Sequence, residues 1–157
     1  KAEELFAIYH QRVPFVKTLM KSVSNRAQQR GQIRTLLGRL CRFHLWEPNR
    51  FGINKALPFE QAVQEHGQGN IRRAFTYKAL NKLIQGSAAD MTKKSMLDLY
   101  KEGIIAHIQI HDELDLSVES PEQAKKVVEI MENAVKLDVP NKVDYESGKN
   151  WGDIYDK

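Results

Sequence analysis

The spacing of apolar residues along the chain predicts long helices joined by a few short strands. Apolar positions that recur every three or four residues are typical of amphipathic helices, whereas strict alternation is typical of half-buried strands. Helices are predicted over residues 1–10, 15–30, 58–65, 70–101 and 120–136, the third because Pro58 suits a first helical position. Strands are predicted within residues 32–43, 104–118 and 142–146.

Proline, glycine and capping residues set several of the predicted helix boundaries. Pro14 separates the first two helices, and Gly31 is suited to cap the second. Residues 25–30, at the polar end of that helix, are expected to be exposed. Its inward face is expected to comprise Val16, Leu19, Met20 and Val23. The segment Ser120-Pro121-Glu122-Gln123 combines a cap, a first-position proline and a capping-box glutamine. It therefore predicts that a helix begins here.

Alternation is clearest in residues 108–118, where two β-prone runs flank the triplet His111-Asp112-Glu113. The triplet falls where the two strands would turn. Adjacent carboxylates in a turn repel each other unless a cation or a proton joins them. The triplet therefore indicates a divalent-metal site or a perturbed pKa, although a solvated acidic hairpin fits the same residues.

The segment before the longest helix divides into a basic part and an irregular part. Residues 32–43 predict two short strands around Gly38, and their arginines are Arg34, Arg39 and Arg42. Such a ribbon could follow a phosphate backbone, or it could be an exposed basic hairpin without a ligand. Residues 44–69, with several prolines and glycines, are interpreted as a loop or insertion around one short helix.

The predicted helix over residues 70–101 carries a polar stripe at four-residue spacing, with Asn70 as its cap. The stripe comprises Arg73, Tyr77, Asn81 and Gln85. Its amides could donate to acceptors in the minor groove of a nucleic acid, but periodicity alone favours ordinary exposed positions. Gly86 is expected to bend the helix, and Ser87 with Asp90 to restart it as a capping box.

Composition limits the class of protein. With 157 residues, of which 41% are hydrophobic, the chain can form one domain or part of a larger one. It has no apolar run of about 18 residues, so no membrane span is expected. The single Cys41 cannot form an internal disulfide, which fits a reducing compartment, and no Cys/His spacing resembles a zinc site. The first residues lack a signal-peptide pattern and an initiator Met, which suggests a cut or processed chain.

The net charge of +4 conceals an asymmetry along the chain. Residues 1–105 contain 18 Lys and Arg against 8 Asp and Glu, whereas residues 106–157 contain 6 against 12. The basic part suits a polyanion such as nucleic acid, and the acidic part suits metal ions. Most of the individual lysines are nevertheless expected to lie on solvated faces.

Several motifs occur here in an order that resembles the C-terminal part of family A DNA polymerases, the group of bacterial DNA polymerase I and related phage and organellar enzymes. The resemblance covers nearly the whole chain. Its motifs are residues 1–14, Thr35-Leu36-Leu37-Gly38-Arg39, Ile71-Arg72-Arg73-Ala74, residues 81–90, His111-Asp112-Glu113 and Asn150-Trp151. The helix over residues 81–90 and the His-Asp-Glu turn are specific only when taken together.

The resemblance implies an α+β fold. It would have a palm-type antiparallel sheet with a catalytic β-hairpin packed on long helices, preceded by a mainly helical partial fingers region. Residues 1–70 would be the C-terminal part of the fingers, with the basic hairpin and an insertion. Residues 71–157 would be the palm portion, with the minor-groove helix, the His-Asp-Glu hairpin, and a C-terminal helix and strand.

The resemblance also implies roles for the turn residues. Asp112 would hold a Mg²⁺ pair, Glu113 would support the metals or their waters, and His111 would contact the backbone at the primer end. Two bound metals would activate the primer 3′-hydroxyl and stabilise the departing pyrophosphate.

Contacts to primer-template DNA are implied on the helix and on the basic segments. Asn81 and Gln85 match residues that contact the minor groove at the primer terminus. This match replaces the interpretation from periodicity, in which both are ordinary exposed positions. Tyr77 stands where some members have Arg. Candidate contacts to the DNA backbone are Arg72, Arg73, Arg39 and Arg34.

The sequence lacks three parts of such a polymerase: the second metal-binding aspartate, the fingers helix that grips the incoming dNTP, and the thumb. The chain alone is therefore expected not to polymerise, and to need an N-terminal polymerase portion in the same protein or as a partner chain. The expected location is the cytoplasm, or the host cytoplasm if the protein is phage-encoded, with an organelle as an alternative.

Two other functions stay open from the sequence. A metal-dependent nuclease could use Asp112, Glu113 and Asp115, and would cleave DNA without a partner. A non-catalytic nucleic-acid-binding module would bind primer-template DNA with a salt-dependent affinity and show no chemistry.

Overall fold

The computed structural model describes residues 1–52 and 54–155, and it has an α+β fold, as predicted. The first part contains helices α1 (Ala2–Arg12), α2 (Pro14–Arg30) and α3 (Phe59–His66), and strands β1 (Gln32–Arg34), β2 (Leu40–Arg42), β3 (Trp46–Pro48) and β4 (Ile71–Arg73). It continues with α4 (Ala79–Lys101), β5 (Ile108–Ile110), β6 (Glu113–Asp115), α5 (Pro121–Asn133) and α6 (Gly152–Tyr155). Short 3₁₀ turns cover Gln68–Asn70 and Thr76–Lys78.

The described strands form three separate antiparallel pairs, β1–β2, β3–β4 and β5–β6. The chain divides into two compact units, residues 1–87 and residues 88–157, and α4 contributes to both. The predicted boundary between fingers and palm, after residue 70, stays a prediction. No helix among the described residues is long and apolar enough to cross a membrane.

The core of the first unit forms where α2 meets the β1–β2 pair and the start of α4. Its buried residues are Val23, Ala27, Ile33, Phe43 and Ala79. The prediction that residues 25–30 are exposed is therefore wrong at Ala27, which is fully buried because its small side chain permits close packing. The inward face predicted for α2 is correct at Val23, which is buried, and in part at Val16, which is half-buried. Leu19 and Met20 are exposed, since the first half of α2 has little of the described chain packed on it.

Helix α2 ends at Gly31, as predicted, with a left-handed φ of 66° and its N–H donating to Ala27 O at 2.9 Å. The Arg73 guanidinium lies against this glycine. Its Nε donates to Gln28 O at 3.2 Å and its Nη1 donates to Phe43 O at 2.9 Å. The guanidinium also lies 4.5 Å from the centre of the Trp46 ring. Arg73 therefore fastens β4 to the C-terminal end of α2, where a cation is favoured by the helix dipole.

The segment interpreted as a loop contains a strand that the sequence did not reveal. Strand β3 pairs with β4 in the register Trp46↔Arg73, Glu47↔Arg72 and Pro48↔Ile71. The predicted helix α3 is confirmed within one residue, and the Phe59 ring contacts the Trp46 ring at 5.0 Å between centroids. Residues 44–69 thus include an ordered ribbon and helix, with Leu57 buried against them.

The long helix begins at Ala79, so the predicted start at Asn70 is wrong. Residues 71–73 are held extended by their pairing with β3, and Phe75 has a left-handed φ of 62°, which a continuous helix does not allow. A 3₁₀ turn then leads into α4. Arg73 and Tyr77 consequently do not lie on the helix that carries Asn81 and Gln85, and the predicted four-residue stripe is wrong for these two positions.

The core of the second unit joins the C-terminal half of α4 to α5 and to the β5–β6 pair. Its buried residues are Leu99, Ile104 and Val127, and Leu114, Leu116, Ile130 and Met131 pack against them. Ser120 caps α5 as predicted, because its side chain accepts from Gln123 N at 3.2 Å. The Gln123 side chain in turn accepts from Glu119 N at 2.6 Å.

The C-terminal segment differs from the prediction. Residues 142–146 form no strand, and α5 ends at Asn133 instead of residue 136. The backbone N–H of Val143 donates to a side-chain oxygen of Glu132 at 3.3 Å. This stretch is therefore attached to α5 by a side-chain hydrogen bond and not to a strand by backbone hydrogen bonds. Trp151, which was expected to pack on a sheet edge, is partly exposed before α6.

The contact between Gly31 and Arg73 predicts a stability difference between two glycine variants. A Cβ at Gly31 would lie 2.6 Å from the Arg73 Cζ, whereas a Cβ at Gly38 would have no atom within 4 Å. Both glycines have positive φ, so Gly38→Ala should cost about 1–2 kcal/mol of unfolding free energy through backbone strain alone. Gly31→Ala should cost about 1–3 kcal/mol more, because Arg73 must give up hydrogen bonds and its contact with Trp46.

Urea unfolding of the two variants measures this difference. Gly38→Ala is the matched control for the strain term. Equal losses in the two variants would show that Arg73 moves aside without cost, which would contradict the role given to it.

Candidate functional site

The acidic triplet lies at a two-residue β-turn. Strands β5 and β6 pair in the register Ile108↔Asp115, Gln109↔Leu114 and Ile110↔Glu113, which leaves His111 and Asp112 as the turn. The predicted strands on either side of the triplet are confirmed, with Glu113 as the first residue of β6. His111 has a φ of 52°, as tight hairpin turns require, and its carbonyl accepts from Gln109 Nε2 at 2.6 Å.

The pairing register places the two faces of this hairpin in different surroundings. Leu114 and then Leu116 turn towards the core of the second unit. The opposite face carries Glu113 and Asp115 together with Ile108 and Ile110, because residues directly opposite in a pair share a face. Both isoleucines are about two-fifths exposed, at 43% and 41%. The carboxylates therefore lie on an outward face that is partly apolar.

The three carboxylates of the hairpin differ in exposure. Asp112 and Glu113 are exposed, whereas Asp115 is half-buried and its Oδ2 has no hydrogen-bond partner within residues 1–52 and 54–155. Carboxylate oxygens are ligands of the kind that Mg²⁺ prefers. However, no three His, Cys, Asp or Glu residues assemble as a metal site in the described part of the chain. Asp112 and Glu113 are two exposed carboxylates of the kind that could contribute ligands to Mg²⁺, which is often bound through one or two carboxylates.

The helix face that was predicted to contact DNA is partly present. Asn81 and Gln85 lie one turn apart on α4, and both are exposed. Between them, the Lys82 ammonium lies 4.8 Å from the centre of the Phe43 ring. Tyr77 is 69% exposed in the 3₁₀ turn before α4, with the Lys78 ammonium 5.6 Å from its ring.

Three of the four arginines predicted to contact DNA, Arg34, Arg39 and Arg72, are exposed, whereas Arg73 is half-buried. Each of the exposed arginines has a partner within the described residues. Arg34 Nη1 donates to Gly38 O at 2.7 Å, and Arg72 Nε lies 2.9 Å from a Glu47 oxygen across the β3–β4 pair. Arg73 is engaged by main-chain carbonyls, as described above. Arg39 Nη2 donates to Gly86 O at 2.8 Å, so this guanidinium is directed at α4.

The contact between Arg39 and Gly86 belongs to a junction that the sequence analysis missed. Helix α4 runs through Gly86 and Ser87 without a break, so the predicted capping-box restart is wrong, whereas the predicted bend stays a prediction. The Ser87 hydroxyl donates to Leu83 O at 2.7 Å and accepts from Leu36 N at 2.9 Å. A glycine inside a helix is a sequence signal for close approach by another segment, but it does not identify that segment.

Comparisons with known proteins identify the family. The model of DNA polymerase family A matches residues 1–153. The chain therefore belongs to the family A DNA polymerases, as the sequence analysis predicted.

Individual relatives agree with this assignment. A DNA-directed DNA polymerase of Pseudomonas phage M6 is 36% identical over 152 residues, which cover 97% of this chain and 20% of that protein. DNA polymerase I of Bacillus caldotenax is 36% identical over 162 residues, which cover 98% of this chain and 16% of that protein. The chain thus spans a fifth or less of the length of these relatives.

A solved structure is also similar. It is the POL domain of Pol1 from M. smegmatis in complex with DNA primer-template and dNTP. The TM-score is 0.62 at 30% identity, over 88% of this chain and 23% of that chain. This similarity agrees with the α+β fold.

The left-handed turn residue predicts how substitutions of His111 affect the hairpin. His111→Val should destabilise the hairpin by about 1–2 kcal/mol, since a β-branched residue is strongly disfavoured at this φ. His111→Asn should retain the turn, because Asn tolerates the left-handed region. Amide hydrogen exchange of residues 108–115 measures the difference, and equal protection in the two variants would contradict the importance of the turn conformation.

Proposed function

We propose that this chain provides part of the palm and fingers of a DNA-directed DNA polymerase, which adds nucleotides to a primer 3′-hydroxyl. The observation that carries the proposal is the two-residue turn at Asp112, in a chain whose residues 1–153 match the polymerase family. A rigid hairpin that presents an exposed carboxylate suits a site that must hold a cation in a fixed position.

In this proposal, Asp112 and Glu113 hold Mg²⁺ together with at least one carboxylate from outside the described residues. Their exposed oxygens are suitable ligands, and the family resemblance implies a further metal-binding aspartate. Bound Mg²⁺ would supply activation of the primer 3′-hydroxyl and neutralise charge on the departing pyrophosphate. His111, whose backbone is fixed by the turn, would donate to the primer-end backbone.

The exposed amides of Asn81 and Gln85 would donate to acceptors in the minor groove at the primer terminus. Each base pair presents acceptors there at similar positions, so the amides can test the geometry of a pair without reading its sequence. Arg34 and Arg72 would contact phosphates, since both are exposed and have remaining donors. Arg73 would act mainly within the protein, because it is half-buried and donates to two main-chain carbonyls, and Arg39, although exposed, is directed at α4 by its bond to Gly86.

We further propose that the chain is inactive alone and needs the rest of a polymerase, in the same protein or as a partner chain. Helix α1 has no buried residue, and its apolar stripe includes Leu5 and Phe6, which are 62% and 66% exposed. A stripe of this kind usually marks an interaction surface. The remainder of the polymerase would cover it and supply the binding site for the dNTP.

A chimera tests the metal assignment. The complete chain replaces the matching 152-residue segment of the phage M6 polymerase, and Mg²⁺-dependent primer extension is measured. Asp112→Asn should lower extension at least about 100-fold, because a lost metal ligand removes several kcal/mol of charge stabilisation. Asp144→Asn, at an exposed aspartate outside the hairpin, is the matched control and should extend normally.

Three results would contradict the proposal. Normal extension by Asp112→Asn would exclude the metal role, and a folded chimera without extension would exclude the polymerase role. Mg²⁺-dependent DNA cleavage by the chain alone would favour a nuclease that uses Asp112, Glu113 and Asp115.

The minor-groove role predicts a loss of mismatch discrimination. In the same chimera, Gln85→Ala should lower the ratio of matched to mismatched primer extension about 5–10-fold, the equivalent of one net hydrogen bond. Gln61→Ala, at an exposed glutamine on α3, is the control and should leave the ratio unchanged. An unchanged ratio in Gln85→Ala would remove the basis for this role.

A further inference from the structure

We propose that residues 35–39, which we call the clamp loop, position the turn of α4 that carries Gln85 and thereby set the accuracy of the minor-groove test. This inference rests on the proposed function of Gln85. It assigns Thr35, Arg39 and Ser87 as positioning residues, which act through Gln85 and not by touching DNA.

The clamp loop contacts α4 at the two residues that directly follow Gln85. Arg39 Nη2 donates to the carbonyl of Gly86, the next residue, at 2.8 Å. Leu36 N donates to Ser87 Oγ at 2.9 Å, and the same hydroxyl donates to Leu83 O at 2.7 Å. The hydroxyl thus connects the loop to the helical turn from Leu83 to Ser87. None of these bonds involves the Gln85 side chain, which stays exposed.

The loop is rigid enough to act as a reference. Thr35 is 5% exposed, and its Oγ1 accepts from Arg39 N at 3.0 Å. Thr35 N donates to Arg39 O at 3.0 Å, and Gly38 N donates to Thr35 O at 2.9 Å. The loop also closes the β1–β2 pair, whose residue Ile33 is buried in the core of the first unit.

Gly86 permits this contact because it has no side chain. A Cβ there would lie 2.9 Å from the Thr35 Cγ2 and 3.1 Å from the Arg39 Nη2. Glycine is a poor residue for the interior of a helix, since it loses more conformational freedom on folding than alanine does. Close approach of the clamp loop accounts for its presence in the middle of α4.

Position matters here because a hydrogen bond to a base edge depends steeply on distance and angle. A shift of the α4 turn would weaken the bond from Gln85 to a correct pair and reduce the penalty for a wrong pair. The clamp loop opposes such a shift directly after Gln85, and it adds to the packing of Ala79 and Leu83 in the core of the first unit.

The test uses the phage M6 chimera and the pair Gly86→Ala and Thr35→Ser. Gly86→Ala should lower the ratio of matched to mismatched extension about 3–10-fold, because displacement weakens the Gln85 bond without removing it. Adding Thr35→Ser should restore the ratio, since serine lacks the clashing Cγ2 but keeps the Oγ1 that accepts from Arg39 N. Thr35→Ser alone gives the baseline for the rescue.

Two further measurements separate positioning from general destabilisation. In the Gln85→Ala background, Gly86→Ala should cause no additional loss of discrimination, because the group that it displaces is absent. In the complete 157-residue chain, Gly86→Ala should speed exchange of the Leu36 amide, which donates to Ser87. If Gly86→Ala does not fold, Ser87→Ala, which removes the acceptor of that amide, takes its place in both measurements.

The outcomes distinguish this inference from the proposed function. A normal ratio of matched to mismatched extension in Gln85→Ala overturns both the minor-groove role of Gln85 and the clamp. A reduced ratio in Gln85→Ala with a normal ratio in folded Gly86→Ala overturns the clamp alone. If Thr35→Ser does not restore the ratio in Gly86→Ala, the effect is general destabilisation and the clamp is overturned. The same holds if the loss of discrimination in Gly86→Ala adds fully to the loss in Gln85→Ala.

Discussion

The first unit depends on one cation placed against the end of a helix. Arg73 brings together the Gln28 carbonyl of α2, the Phe43 carbonyl after β2 and the Trp46 ring, and it requires Gly31 to have no side chain. Through this guanidinium β4 meets two segments, residues 28–31 and residues 43–46, that precede it in the sequence by about 45 and 30 residues. A planar group with five donors can satisfy two carbonyls and stack on an aromatic ring at once, which a lysine ammonium cannot do. The β3–β4 ribbon therefore has a fixed position relative to α2.

Local signals predicted the parts of the fold that local chemistry determines. The turn at His111, the cap at Ser120 and the glycine at the end of α2 each follow from a few adjacent residues. The β3–β4 pair could not be found in this way, because Trp46 and Arg73 pair across 26 intervening residues and neither strand is longer than three. The error at the start of α4 has the same cause, since pairing with β3 holds Ile71–Arg73 extended where the local pattern allowed a helix.

At the candidate site, too, only part of the structure could be predicted from the sequence. The spacing of Asn81 and Gln85 placed both on one helix face, and their possible contact with DNA came from the family resemblance. The hydrogen-bond partners of the arginines could not be predicted from the sequence, because a guanidinium can donate equally to a phosphate or to a carbonyl. Arg39 and Arg73 donate to carbonyls of other segments, and each lies where a glycine leaves room for it. Arg34 donates to the Gly38 carbonyl within its own hairpin. Gly86 was interpreted as a bend because the segment that contacts it is 47 residues away from it.

Arginines that are engaged within the protein still influence a polyanion. Their charge remains, so Arg39 and Arg73 contribute to the positive potential of the first unit even though part of each guanidinium donates to main-chain carbonyls. A direct contact with a phosphate and a contribution to the electrostatic potential have different consequences. The salt dependence of DNA affinity is set by the counterions that are released at contacted phosphates. A basic segment can therefore attract DNA through many charges while few of them touch it. In this chain Arg39 and Arg73 donate to carbonyls of other segments, and under the proposed function the exposed Arg34 and Arg72 would contact the phosphates.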